Sequence, residues 1–247
     1  MKYVKILLVT AIIMLFVGCG GQNDQGSYTW LRGGENLEED GLRFSVDEIN
    51  HLVVNSIHNR VSIETHSGSD ILIEYVPDAP GSGNYYHHVI RPRYEFANGH
   101  LEIFRDVNLA GNTFIRNGSI NILVPVYDGE IFESVSVSTT SGDVRMSNFN
   151  ASSVRINTTG RDVRIVNFNA GSVTASTTAG NINVLNVDVE NNFTLENRSG
   201  SIDISNSRIG GQLSASTSSN DITITNVDTD FDAAELSTTQ HNNIIIN

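Results

Sequence analysis

The sequence predicts an all-β, single-domain β-solenoid of stacked coils, each of 19–21 residues and built from short strands. The first sign is a repeat: equivalent units begin at Val135, Val154, Val173, Phe193, Leu213 and Ala234, at offsets of 19, 19, 20, 20 and 21 residues. The second is the pattern inside each unit, where apolar and polar residues alternate as they do along a half-buried strand. The third is that no amphipathic helix of ordinary length is visible beyond the N-terminal apolar segment.

Taken in chain order, Met1–Lys5 is a short basic stretch and Ile6–Val17 an apolar run of about a dozen residues. That run is well short of the roughly 20 residues that span a bilayer, so residues 1–18 read as a signal peptide rather than a membrane helix. The junction Phe16-Val17-Gly18-Cys19 has the form of a bacterial lipobox, which makes Cys19 the expected lipidation site. Cys19 is the only cysteine, so it has no disulfide partner within the chain. Residues 19–41, with Gly33-Gly34 and Glu38-Glu39-Asp40, read as a lipid-anchored flexible tether, and residues 42–247 as the solenoid domain. The domain is irregular over 42–130 and regular over 135–247. The expected location is the bacterial cell envelope, with the body held by acyl chains on the extracytoplasmic side of a membrane.

Charge narrows the partners. The chain carries 15 basic and 28 acidic side chains, and both of its lysines, Lys2 and Lys5, lie in the signal segment. Without them 13 arginines face 28 acids, a net charge of −15. A nucleic-acid partner is excluded by the absence of a cationic footprint. Acidic polymers are disfavoured by repulsion acting over about 8 Å at physiological salt.

In the regular half, apolar pairs mark two strands per coil. These are Val135/Val137 with Val144/Met146, Val154/Ile156 with Val163/Ile165, and Val173/Ala175 with Ile182/Val184. Phe193/Leu195 with Ile202/Ile204 and Leu213/Ala215 with Ile222/Ile224 continue the series. A further inward position falls at Phe149, Phe168 and Val187, and turns such as Ser141-Gly142-Asp143 separate the strands. Stacking at about 4.8 Å would lay equivalent residues over one another, Val and Ile inside, Thr and Asn outside. In the irregular half, Leu52–Val54, Val61–Ile63, Ile71–Ile73, Leu101–Ile103 and Ile120–Val124 read as strands of the same continuous domain.

The runs Ile120-Asn121-Ile122-Leu123-Val124-Pro125 and Val135-Ser136-Val137-Ser138-Thr139-Thr140-Ser141-Gly142-Asp143-Val144 resemble the toastrack family of candidate adhesins. The resemblance covers most of residues 50–247 and implies a β-solenoid on an exported or membrane-attached bacterial protein. It brings no catalytic residue with it. The chain departs from the repeated unit at Arg161, where the glycine has moved to Gly160, and in the last units, where Asn220 and His241 replace it.

Three groups of residues are candidates for chemistry. The Asx-rich column Asp143, Asp162, Asn181, Ser201, Asp221 and Asn242 offers oxygens of the kind Ca²⁺ takes, but capping of its own turns explains it better and no metal is assigned. Arg145 and Arg164 share an outward position in adjacent units, with Arg155 and Arg161 nearby, a candidate anion patch or a set of surface ion pairs. Within Pro80–Tyr94, the residues Tyr85, Tyr86, His87, His88, Arg91, Arg93 and Tyr94 are candidates for stacking on and hydrogen-bonding a ligand such as a sugar.

No catalytic residue and no cofactor are assigned, because the chain lacks a Gly-x-Ser-x-Gly elbow, a His-Glu-x-x-His pair and a phosphate loop. The expected function is that of a non-enzymatic envelope adhesin, scaffold or sensing module that presents a repetitive polar surface to a protein or glycan. A polysaccharide hydrolase or lyase is the alternative, since β-solenoids also host those activities. The expected partners are the membrane, through the acyl anchor, and an envelope polymer or protein. Ile244-Ile245-Ile246 is expected to form an uncapped edge strand that invites self-association.

Overall fold

Each coil of the regular half turns through three faces, and the faces stack in parallel along a rod. The computed structural model describes residues 28–30, 35–37, 41–78, 92–104, 107–109, 118–127, 129–239 and 243–247. On the first face His51–Ser56, Phe132–Thr139, Asn150–Thr158, the end of Val163–Thr177, Phe193–Asn197, Leu213–Thr217 and Glu235–Thr238 follow one another in register. The second face runs through Arg60–His66, Val144–Ser147, the start of Val163–Thr177, Ile182–Val189, Ile202–Ile209, Ile222–Asp228 and Ile244–Ile246. A short third face closes the coil, with Asn150 over Asn169, Asn169 over Asp188, Asp188 over Arg208 and Arg208 over Asp228.

The inward columns are those the alternation predicts. Val135, Val154, Val173, Phe193 and Leu213 are buried in one column, Val144, Val163, Ile182, Ile202 and Ile222 in another. Phe132, Phe149 and Phe168 pack edge to face along the third side, at ring separations of 6.1 and 4.9 Å. The drift in repeat length is absorbed at one corner. Ala170 pairs with Val189, 19 residues on, but Val173 pairs with Phe193, 20 on, so the added residue sits between the third and first faces. The step from 20 to 21 falls at the same corner, between the Arg208–Asp228 and Ser214–Glu235 pairs.

The irregular half is not a run of further coils in sequence order. Arg60–His66 is followed on its outer side by Gly118–Pro125, which runs parallel to it, and then by Ile71–Pro77 and Leu42–Phe44, each antiparallel to its neighbour. On the first face His51–Ser56 is covered in the same way by His100–Phe104, then by antiparallel Arg93–Ala97 and Glu35–Asn36. Asn98-Gly99 makes the tight turn between the last two long strands, both residues at positive φ (51° and 76°), as a two-residue hairpin loop requires. The result is an N-terminal cap. It draws on the segment read as a tether: Leu37 is fully buried, its N–H bonded to Pro92 O at 2.7 Å, and Tyr28–Trp30 pairs with Val107–Leu109. Ile244–Ile246 pairs only with Ile222–Asp228 among the described residues, and its three isoleucines are 37–51% exposed.

Three of the turns between the first and second faces nest so closely that only glycine fits. A Cβ at Gly142, Gly180 or Gly200 would lie 1.8, 2.0 or 1.9 Å from a backbone oxygen of the preceding coil, of Asn59, Arg161 and Gly180 respectively. Arg161 and Asn220, which stand where these glycines stand in the other units, are exposed. Gly200→Ala is therefore expected to cost about 2 kcal/mol, a fall of roughly 5 °C in the thermal midpoint. Gly160→Ala, whose nearest new neighbour is Thr140 O at 3.3 Å, should stay within about 2 °C of the parent in the same melt.

Candidate binding groove on the third face

The turn between the first and second faces is filled by contacts that hold coil to coil. Asp143 Oδ1 accepts the backbone N–H of Asp162 at 3.3 Å, Asp162 Oδ1 that of Asn181 at 2.8 Å, and Asn181 Oδ1 that of Ser201 at 3.0 Å. Asp221 Oδ1 accepts from the N–H of Asn243 at 2.8 Å. These side chains thus cap the next coil rather than their own turn. Asn242, which the repeat places in this column, lies outside the described residues. Just inside, Thr158, Thr177 and Thr217 donate their hydroxyls to Gly142 O, Arg161 O and Gly200 O at 3.3, 3.1 and 2.9 Å. Asn197 holds the same place with its Nδ2 2.6 Å from Gly180 O. Among the described residues no three His, Cys, Asp or Glu gather as a metal site.

The corner between the second and third faces is a column of asparagines. Asn148, Asn167, Asn186, Asn206 and Asn226 all sit in the left-handed region, at φ of 62, 50, 56, 49 and 53°. Asparagine is among the few side-chain-bearing residues that visit this region routinely. Its carboxamide here also makes a ladder: Asn167 donates to Asn148 at 2.9 Å, Asn186 to Asn167 at 2.7 Å and Asn226 to Asn206 at 2.8 Å. The unit spacing carried this signal, since an asparagine precedes each of the inward positions Phe149, Phe168 and Val187.

One rung differs. The inward position that holds Phe149, Phe168 and Val187 becomes Ser207, buried at 5% exposure. Its hydroxyl accepts the Val187 N–H at 3.1 Å and donates to Ser205 O at 2.8 Å. Strand pairing passes from Leu185–Ser205 directly to Asp188–Arg208, so the backbone ladder is interrupted over this rung.

An open groove of about 870 Å³ runs along this corner and the third face. The asparagines at 167, 186, 206 and 226 line it, together with Asp188, Arg208 and Asp228, and Phe231 and Ile246 stand at its C-terminal end. A second hollow of about 380 Å³, lined by Glu130, Asn150 and Glu190 among others, shares Asn169, Asp188 and Arg208 with the first. Arg208 Nε lies 3.5 Å from Asp188 Oδ2, both side chains about half exposed, which makes a weak pair. Asp188 Oδ1 is shielded from solvent and has no hydrogen-bond partner among the described residues.

The residues singled out from the sequence lie elsewhere. Arg145 and Arg164 are exposed and in register on the second face. Arg155 belongs to the first face, where it pairs with Ser136 and Thr174, so the three do not share one surface. Arg161 is exposed in the turn between those faces. Cys19, Tyr85, Tyr86, His87, His88 and Arg91 lie outside the described residues. Arg93 and Tyr94 begin the strand Arg93–Ala97, and Tyr94 packs against the core.

These features define a capped, three-sided β-solenoid whose surface is made of repeated polar columns. The chain belongs to the Toastrack DUF4097 family, whose signature spans residues 49–241. Solved structures that it matches include a candidate adhesin from Bacteroides fragilis, 12% identical, covering 84% of this chain and 96% of that one at a TM-score of 0.35. Another is a candidate adhesin from Parabacteroides merdae, 9% identical, covering 84% and 95% at a TM-score of 0.33. No match is found among curated proteins.

Substitution at the asparagine corner should separate its two roles. Asn167→Gly keeps the left-handed backbone but loses the bonds to Asn148 and Asn186, at a cost of about 1 kcal/mol. Asn167→Ala loses the bonds and strains the backbone as well, costing about 2 kcal/mol. Chemical denaturation should rank the parent above the glycine variant and the glycine variant above the alanine one.

Proposed function

We propose that this is a non-enzymatic, lipid-anchored protein of the bacterial cell envelope, acting as an adhesin-like or scaffold module through its repetitive polar surface. The observation that carries the reading is the in-register stacking of outward hydroxyls and amides. Ser136, Thr174, Thr194 and Ser214 recur in one column of the first face, interrupted by Arg155, beside Ser138, Asn157, Ser176 and Ser216 in another, interrupted by Glu196. Such columns repeat one hydrogen-bonding group at about 4.8 Å and suit many weak contacts with an extended glycan or protein chain. The lipobox cysteine supports attachment, with Cys19 as the acylated residue. The exposed edge Ile244–Ile246, which carries no charge, supports pairing with a second copy through its open backbone groups.

The anchor is tested by fractionation: Cys19→Ala should move the protein from the membrane to the soluble fraction, and unchanged membrane association would refute lipidation. Binding is tested by incubating residues 20–247 with cell-wall fractions and scoring retention and product release together. Retention without new reducing or unsaturated ends is expected; new ends that vanish when an acidic pair is mutated would make the protein an enzyme. In sedimentation the same fragment should show a concentration-dependent dimer that Ile245→Lys abolishes, and a monomer at all concentrations would remove the second copy from this reading.

A further inference from the structure

We infer that the third-face groove is a carbohydrate-binding site, taking one or two residues of a neutral glycan across the break in the asparagine ladder at Asn186 and Asn206. The inference rests on the binding function proposed above and adds to its first-face columns a second site, with a ligand class.

The ladder is continuous from Asn148 to Asn186 and again from Asn206 to Asn226, but no hydrogen bond joins Asn206 to Asn186. The gap falls on the rung where Ser207 replaces the apolar inward residue and the backbone pairing is interrupted. Asn206 is left with an unused Nδ2 donor and Asn186 with an unused Oδ1 acceptor, both in the lining of the same groove. A sugar hydroxyl accepts and donates through a single oxygen, so one hydroxyl can take the Asn206 N–H and give its own proton to Asn186. In that position the ligand stands in for the missing rung.

The surroundings fit the same chemistry. Asp188, about half exposed in the lining, offers its carboxylate to a second hydroxyl. Arg208, held only at 3.5 Å by Asp188, retains donors to spare. Phe231, 39% exposed at the groove's end, offers an apolar ring to the C–H face of a sugar. The lining is mostly polar, as a hydroxyl-rich ligand requires, and its volume of about 870 Å³ falls in the range of small-ligand sites. Charge argues for a neutral sugar over a uronate or phosphate: Arg208 lies between Asp188 and Asp228 in its column, and the chain as a whole carries −13.

The test is titration of residues 20–247 with two soluble probes, an N-acetylglucosamine tetrasaccharide and a glucose tetrasaccharide, followed by calorimetry or ligand-observed NMR. Asn206→Asp removes the unused donor while keeping the oxygen that accepts from Asn226 and a residue type that tolerates the left-handed corner. Phe231→Ala removes the exposed ring. Each variant should bind the preferred probe at least fivefold more weakly, with its thermal midpoint close to the parent's, while Asn183→Ala on the second face should bind as the parent does. Failure to bind either tetrasaccharide, or undiminished binding by both groove variants, would overturn the site. Cell-wall retention that survives both groove substitutions would overturn it while leaving the proposed function standing, and loss of all retention by the parent would remove the function itself. Retention abolished by protease treatment of the wall would assign the surface to a protein partner and overturn the carbohydrate reading.

Discussion

Everything in this molecule follows from the requirement that each coil lie directly over the one before it. In-register parallel stacking places every side chain on its own equivalent, so each position must suit a column and not a single site. Inside, that selects apolar residues, mostly Val, Ile, Leu and Phe, in files that break at Ser207. In three of the nested turns, at Gly142, Gly180 and Gly200, it selects glycine, since a Cβ would strike the backbone of the coil below. At the corner it selects asparagine, which tolerates the left-handed backbone and bonds to its neighbours above and below. A column of like charges would repel at every rung, and the chain accordingly keeps its charged residues to 17%.

The same requirement creates the two problems that the remaining structure meets. A stack has ends, and its backbone groups there are unsatisfied. The N-terminal end is closed by strands that reverse direction, Ile71–Pro77 and Leu42–Phe44 on one face, Arg93–Ala97 and Glu35–Asn36 on the other. The C-terminal end carries no such reversal among the described residues. A stack also transmits defects. Ser207 in the inward column costs an apolar contact, recovers it partly through two hydrogen bonds, and leaves the corner above it without a rung. The groove lies against that irregularity and not against the most regular coils.

How much of this was legible follows from the range of the interactions involved. The coils were readable from Val135 onward because each repeats its neighbour about 20 residues away, and alternation alone assigns inside and outside. Alternation does not say to which of three faces an outward residue belongs, which is why Arg155 was grouped with Arg145 and Arg164 although it stands on a different side. Most of the cap's strands were readable as strands, but their order was not, since His100–Phe104 and Gly118–Pro125 return to cover strands laid down some 50 residues earlier. The Asn98-Gly99 turn was the local sign of that reversal. The groove was least legible: its polar column is visible in the repeat, but the gap in it depends on which hydrogen bonds form.

The cap and the coils also differ in how far the chain must reach to close them. Neighbouring coils meet across 19 residues, as from Asp162 to Asp143, whereas His51 meets Ser134 across 83 and Arg60 meets Ser119 across 59. Each doubling of such a loop adds about 0.6 kcal/mol of closure entropy, so the longest cap contact is roughly 1.3 kcal/mol dearer to initiate than a coil contact. Low separation favours fast assembly, and on that ground a coil-on-coil contact forms more readily than one that joins the cap to the coils. Until the cap joins the coils, the N-terminal edge of the stack is uncovered. That makes the N-terminal edge a transient liability during folding.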